Sequence, residues 1–429
     1  MAKLDVLFRK MVEIKASDLH IASGAAPMFR LNGDMVPLDG FRLEGDDLLD
    51  ALLELAPEAN REQFAAENDT DFAYQLPGYG RFRSNLFCDH RGPGGVFRLI
   101  PSKILTVDQL GLPESVLQFC NLSKGLVVVT GPTGSGKSTT LAAMVDHINK
   151  TRADHLITIE DPIEFVHDNQ RCLINQREVG IHTQSFKRAL RAALREDPDI
   201  VLVGEMRDLE TVEIALETAE TGHLVFGTLH TTTAPSTVDR IIDQFPEERQ
   251  AQIRTMLASS LKGVVAQTLC KKQGGGRVAA LEVLVVNNAI SSQIREGKTF
   301  QIKNAMQTGG KQGMRLLNDT LADLVQRGEV EPQEAYLKAV EKDDLLEKFA
   351  RIGVPFEVAG VSAPPPPGAP LPAQSANPGA DLRTKEPAGA VPPPSPSQEP
   401  QSPLSGGGAG GGAAGTGDPF EQFRKNRGN

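Results

Sequence analysis

The eight residues GPTGSGKS, Gly131 to Ser138, constrain this chain more than any other stretch of it. Ahead of them runs LVVVT, apolar and β-branched; behind them STTLAAMVDHINK has helical spacing. The pattern G-x-x-x-x-G-K-[ST], placed between a strand and a helix, has a physical basis. Glycines let successive backbone N–H groups turn inward around phosphate oxygens, at a helix N-terminus that already favours anions. A lysine at the position of Lys137 can reach the β- and γ-phosphates, and the Ser138 hydroxyl can ligate Mg²⁺. The expected nucleotide-binding set is Gly131, Pro132, Thr133, Gly134, Ser135, Gly136, Lys137, Ser138 and Thr139.

From about Leu117 to Val286, the apolar runs GLVVVTG, HLITIED, DIVLVGE and HLVFGTLH alternate with helical periods. Fully apolar strands separated by helices indicate a parallel sheet covered on both faces. In such sheets ligands bind at the carboxyl ends of the strands. DIVLVGE delivers Glu205 to that edge, where a carboxylate can hold the Mg²⁺ shell or orient water. The competing account is an exposed glutamate opening the next helix. HLITIEDPIEF brings Glu160, Asp161 and Glu164 to a similar place, either to polarise water or complete a metal shell, or as a solvated turn around Pro162.

GHLVFGTLH carries His223 and His230, two of the eight histidines of the chain. Its β-branched and aromatic centre reads as a strand, which sets the two imidazoles about 20 Å apart at roughly 3.3 Å per residue. That separation speaks against one metal held by both. His230, at the carboxyl end, is the candidate γ-phosphate sensor or water orienter. His223, at the other end, is expected to act through a subunit or domain contact, and a purely structural pair is the alternative.

Three other blocks complete the chain. Residues 1–113 mix short helices and strands: LNGDMVPL carries an Asn32-Gly33 hairpin signal, and FAYQLPGYGRFRSNLFCDHRGPGGVFRLIP has short alternating runs split by turns, as in a small antiparallel sheet. There Arg81, Arg83, Arg91 and Arg98 form either a solvated basic face or a set of arginine fingers aimed across a boundary. The nucleotide-binding block is drawn at 114–286, and residues 287–359 read as helical. From 360 to 429 the composition turns to proline, glycine, serine and alanine, with little to bury, so a disordered tail is expected. Its final DPFEQFRKNRGN is a solubilising terminus or a short docking motif.

Composition narrows the function classes. Formal net charge is −10 and the isoelectric point about 5.4, so no dominant basic surface points to nucleic acid. The four cysteines lie far apart with no C-x-x-C pair, which suits reduced thiols in a cytosolic protein. No stretch approaches the ~18 apolar residues of a membrane span, and the N-terminus lacks the apolar core of a signal peptide. The expectation is a cytoplasmic protein that meets a membrane only through a partner.

In this order the motifs resemble the secretion ATPase superfamily, most closely its type IV pilus retraction members, over about Met1 to Gly328. SDLHI, RLNGDMVPL, RFRSNLF and FRLIPSK look like the family's N-terminal domain; GPTGSGKSTTLAAM resembles its Walker A. TIEDPIEFVH is similar to its Asp box, with Glu164 at the water-activating glutamate, and LREDPDIVLVGEMRDLET to its Walker B, with Glu205 the matched carboxylate. AETGHLVFGTLHT resembles the His box and puts His223 and His230 on its two histidines. The resemblance implies a RecA-like P-loop ATPase core, α/β, with an N-terminal α+β PAS-like domain, assembled as a homohexamer with ATP and Mg²⁺ between neighbours. It favours the arginine-finger role for Arg81, Arg83 and Arg98. Its implied partners are an inner-membrane platform protein of the pilus machine and a paralogous retraction ATPase. Ala289 to Lys298 reads AISSQIREGK, where retraction members carry an AIRNLIREGK-type helix, and the tail lies outside the family pattern. The alternatives are an accessory pilus ATPase and a weakly hydrolysing regulatory scaffold.

Overall fold

A computed structural model describes residues 2–356 except 32, 39, 101 and 102. Two sheets organise it, and each follows from its own kind of sequence pattern.

The alternating sequence of the first hundred residues forms β1 (Asp18–Ala22), β2 (Met28–Leu31), β3 (Asp34–Pro37), β4 (Asp69–Leu76), β5 (Gly80–Asp89) and β6 (Gly92–Ile100). They pair antiparallel throughout, in the order β3-β2-β1-β6-β5-β4. Leu31 faces Asp34 across the two-residue connection expected from Asn32-Gly33; Asn32 itself lies outside the described residues. Alternation sends Phe82, Leu86 and Phe97 to a buried face, where Phe8 of the helix Asp5–Glu13 meets the Phe82 ring at 4.6 Å and the Phe97 ring at 5.0 Å. Arg81, Arg83 and Arg98 are left on the other face, with Arg83 and Arg98 directly opposite each other in register.

The second sheet is built on the apolar runs and comprises β7 (Gly125–Thr130), β8 (His155–Glu160), β9 (Leu173–Glu178), β10 (Ile200–Val203), β11 (Leu224–Leu229), β12 (Leu261–Lys271) and β13 (Arg277–Val285), the runs themselves supplying β7, β8, β10 and β11. Its order is β13-β12-β7-β11-β10-β8-β9. Every residue of β7, β10 and β11 is buried, as strands covered on both faces must be. Five of the six pairings are parallel. The four apolar runs pair parallel as expected, and the sixth pairing adds β13, outside those runs, antiparallel to β12. Only residues 272–276 join those two strands, too few for the crossover that parallel pairing requires.

Three strands are absent from the reading of apolar runs. β9, LINQRE, is a polar edge strand, and β12 and β13 carry interspersed polar residues. In β12, Gly263 lies so close to the Phe119 ring that an added Cβ would stand 2.1 Å from it. Helices cover both faces of the sheet and enclose two apolar clusters.

Beyond β13 the chain is helical, over Asn288–Arg295, Ile302–Thr308, Leu317–Gln326, Pro332–Lys338 and Lys342–Arg351. Leu317, Leu321, Leu345 and Phe349 of this region pack with Cys270 of β12 and Ala280 of β13. Residues Met1–Phe356 form one compact unit. The expected tail lies outside the described residues, as do 357–359 of the helical region. Among the described residues no helix is long and apolar enough to cross a membrane.

Candidate nucleotide site

The connection between β7 and the helix Lys137–Thr151 is formed by the glycine-rich stretch GPTGSG. Gly131 holds φ at +149°, and a Cβ there would stand 2.3 Å from the Gln267 carbonyl, so only glycine fits. Gly134 and Gly136 also adopt positive φ. Lys137, the first helical residue, donates from Nζ to the carbonyls of Gly131 at 2.9 Å and Pro132 at 3.4 Å. Burial holds its ammonium below the ordinary lysine range, against the opposing pull of Glu205 and Glu164. The hydroxyl of Ser135 is buried inside the loop without a hydrogen-bond partner.

Gln267 buttresses this loop from the neighbouring strand β12. Its side-chain amide donates to the Ser135 carbonyl at 2.7 Å, and its Oε1 accepts from the Thr140 hydroxyl at 2.9 Å. Periodicity hid this residue; the signal was a lone glutamine inside the run GVVAQTL, buried in the structure to 3% exposure. Thr130, at the end of β7, is tied in turn to Thr231 just after His230, through Oγ1 to both the carbonyl and the hydroxyl at 2.8 Å.

The carboxyl ends of the parallel strands bring the other expected groups to the same edge. Glu205 follows β10 and His230 follows β11, and these strands are neighbours. His230 Nε2 lies 2.6 Å from Glu205 Oε1, and Arg207 Nε reaches the same oxygen at 2.6 Å. Burial pushes the Glu205 carboxyl up, but the hydrogen bonds from Arg207 and His230 outweigh it and hold it below the usual glutamate range. His223 sits at the far end of β11, with Nδ1 3.2 Å from the Thr218 carbonyl. The two histidines therefore occupy opposite ends of one strand.

At the end of β8, Glu160 turns back into the fold, where its Oε1 accepts from Thr158 at 2.6 Å and Gln176 at 3.1 Å. Burial raises its carboxyl to about 7 despite those bonds. Of the three acids in that segment, Glu164 is the one whose charge is felt at Lys137.

The arginines divide. Arg81 Nη2 donates to Glu178 Oε2, at the end of β9, at 2.7 Å. Arg98 Nε donates to Asp18 Oδ1 at 2.8 Å. Burial of Asp18 works against its charge, but the Ser17 and Arg98 hydrogen bonds hold its carboxyl low. Arg83 is exposed and within electrostatic reach of Asp71, and Arg91 lies in the turn between β5 and β6. Within one chain, then, Arg81 and Arg98 are engaged by carboxylates. Glu178 carries no signal in the hydrophobic pattern and was not among the expected site residues.

Comparison with known proteins gives the same frame. Residues 68–275 match the profile of the family described as type II/IV secretion system protein. The type IV pilus retraction ATPase PilT of Pseudomonas aeruginosa is 52% identical over 324 residues, covering 76% of this chain and 94% of its own. A twitching motility protein of Neisseria gonorrhoeae is 45% identical, covering 80% of this chain and 91% of its own. PilU of P. aeruginosa is 38% identical over 344 residues. A crystal structure of the pilus retraction motor PilT with bound ADP superposes with a TM-score of 0.75 at 44% identity, covering 81% of this chain and 99% of that one. The fold is thus shared with that PilT structure over most of both chains. The chain belongs to the type II/IV secretion system protein family, among its pilus retraction ATPases.

Proposed function

We propose that this chain is a Mg²⁺-dependent ATPase motor that works as a homohexamer and drives type IV pilus retraction. One observation carries the chemical part of this reading: the parallel sheet gathers the P-loop, Glu205 and His230 on one edge, with Glu205 and Glu164 both acting on Lys137. The residues fit the ligand. Gly131, pressed against the Gln267 carbonyl, lets the loop keep its tight curve, and the buried Ser135 hydroxyl lacks a partner inside the protein. No group of three or more histidine, cysteine and acidic residues suited to a metal occurs among the described residues. Mg²⁺ held through phosphates, Ser138 and Glu205 asks for none.

In this mechanism Lys137 exchanges the loop carbonyls of Gly131 and Pro132 for phosphate oxygens, while the loop Gly131–Thr139 cradles the triphosphate, every residue but Pro132 offering a backbone N–H. Ser138 and Glu205 would hold Mg²⁺, Glu205 partly through water, and the ion when bound would supply charge neutralisation at the phosphates. Glu164 polarises the attacking water, and His230, held by Glu205, senses the γ-phosphate. Arg81, Arg83 and Arg98 serve as fingers at a γ-phosphate across a domain or subunit boundary, and His223 acts at a domain or subunit contact. Hydrolysis weakens those contacts and lets an N-terminal PAS-like domain (1–113) rotate against a RecA-like domain (114–286), followed by a helical region (287–359) and a tail (360–429). The motor would sit at the cytoplasmic face of the inner membrane through the platform protein, alone or with a paralogous ATPase.

Steady-state ATPase of the purified protein, compared with Lys137→Ala and Glu205→Ala, tests the enzyme. Each variant is expected to lose at least about a hundredfold in turnover, since one removes the cation that faces the phosphates and the other the carboxylate for the metal. Wild-type turnover no faster than either variant overturns the reading. Sedimentation with nucleotide tests the hexamer, and loss of twitching on gene deletion tests retraction.

A further inference from the structure

Glu178 ends β9 and is 2% exposed, yet it holds partners from two distant parts of the chain. Arg81 of β5 donates to its Oε2 at 2.7 Å, and the backbone N–H of Ile163 donates to the same oxygen at 3.1 Å. Ile163 is itself buried and immediately precedes Glu164. The strand end is fixed as well, because the Glu178 N–H donates to His182 Nδ1 at 3.0 Å. One carboxylate oxygen thus joins the N-terminal sheet to the turn that carries Glu164.

A carboxylate buried this deeply is costly to leave without its counter-charge. Arg81 therefore cannot move to a phosphate without disturbing the group that anchors Ile163. The reverse also holds: while Arg81 is paired with Glu178, its guanidinium is drawn away from any neighbouring nucleotide.

We propose that Glu178 is a positioning residue that latches the Glu164 turn to the N-terminal sheet through Arg81, and that capture of Arg81 by ATP phosphate opens the latch. This rests on the reading of Arg81 as an arginine finger and Glu164 as the residue that polarises water. The lock is charge rather than shape, since an ionised acceptor holds a guanidinium about twice as strongly as a neutral one. Opening it couples occupancy of the nucleotide site that Arg81 reaches to the turn that carries Glu164.

The experiment is steady-state kinetics of the full-length assembled protein with Mg²⁺-ATP. Glu178→Gln keeps an acceptor for Ile163 but loses the ionic hold on Arg81. It is expected to lower KM for ATP five- to tenfold, a larger change than any in kcat. In an Arg81→Gln background the same substitution should leave KM unmoved, because the latch is already broken. An unchanged KM in Glu178→Gln, or an equal drop with and without Arg81, overturns the latch. Absence of turnover in the wild type overturns the motor reading instead, so the two failures are distinct. Should Glu178→Gln fail to fold, hydrogen exchange in the wild type decides. Exchange at the Ile163 amide should rise at least fivefold when a non-hydrolysable ATP analogue is added with Mg²⁺, and unchanged protection overturns the proposal.

Discussion

Glu160 and Glu205 close neighbouring strands, and their surroundings move them in opposite directions. Burial raises Glu160 to about 7, while burial of Glu205 is outweighed by Arg207 and His230, which keep it low and ionised. The consequence for Glu160 has a definite sign. Its folded value lies above the unfolded 4.5, so the folded state binds more protons between those values. The stability it contributes is full below about pH 4.5 and is lost as pH rises through about 7. The loss at this site is up to about 3 kcal/mol. Glu160→Gln should flatten that part of the profile, as read from urea midpoints at pH 5 and pH 7.5. A variant with the wild-type slope would show that Glu160 does not titrate in this window. Both glutamates were visible in the sequence as carboxylates after apolar strands. Which of them turns inward was not, because that depends on Thr158 and on Gln176 from the adjoining strand β9.

At the scale of elements, β12 does two things that its sequence states only in part. Its buried Gln267 braces the P-loop, and its Gly263 admits the Phe119 ring against the backbone. An alanine at 263 would place Cβ between 2.1 and 2.7 Å from ring atoms. Overpacking of this kind costs about 1–3 kcal/mol. Gly263→Ala should therefore shift the denaturation midpoint downward, and Phe119→Ala in the same chain should absorb much of that shift. Strictly additive losses in the double variant would place the strain elsewhere. The apolar runs of β7, β8, β10 and β11 were legible because they are buried on both faces. β9, β12 and β13 were not, since their pairing partners rather than their own composition make them strands.

For the whole molecule, Glu282 of β13 joins the ATPase core to the C-terminal helices. The carboxylate is 5% exposed and accepts from the Ala234 N–H at 2.7 Å and the Leu317 N–H at 3.2 Å. These amides open the helix that follows the His230 segment and the helix Leu317–Gln326. Burial raises its carboxyl above the usual range, with the two amides pulling the other way. Glu282→Ala would strand two buried N–H groups, at about 1–3 kcal/mol each. Chemical denaturation should find Glu282→Ala well below Glu282→Gln, which keeps an accepting oxygen. Equal stability of the two variants would mean that the amides find other partners.

The sequence by itself determined the P-loop, the parallel strands around it and the acids and histidines at their ends, because each is a local pattern of residue type and spacing. The separation of His223 from His230 belonged to that local information, following from strand geometry alone. Tertiary structure decided which of those groups touch. It set His230 on Glu205, turned Glu160 inward, braced the loop with Gln267, and gave Arg81 to Glu178 across 97 residues of sequence. The physical reason is that a hydrogen bond between distant segments depends on strand order and register, which no single segment encodes.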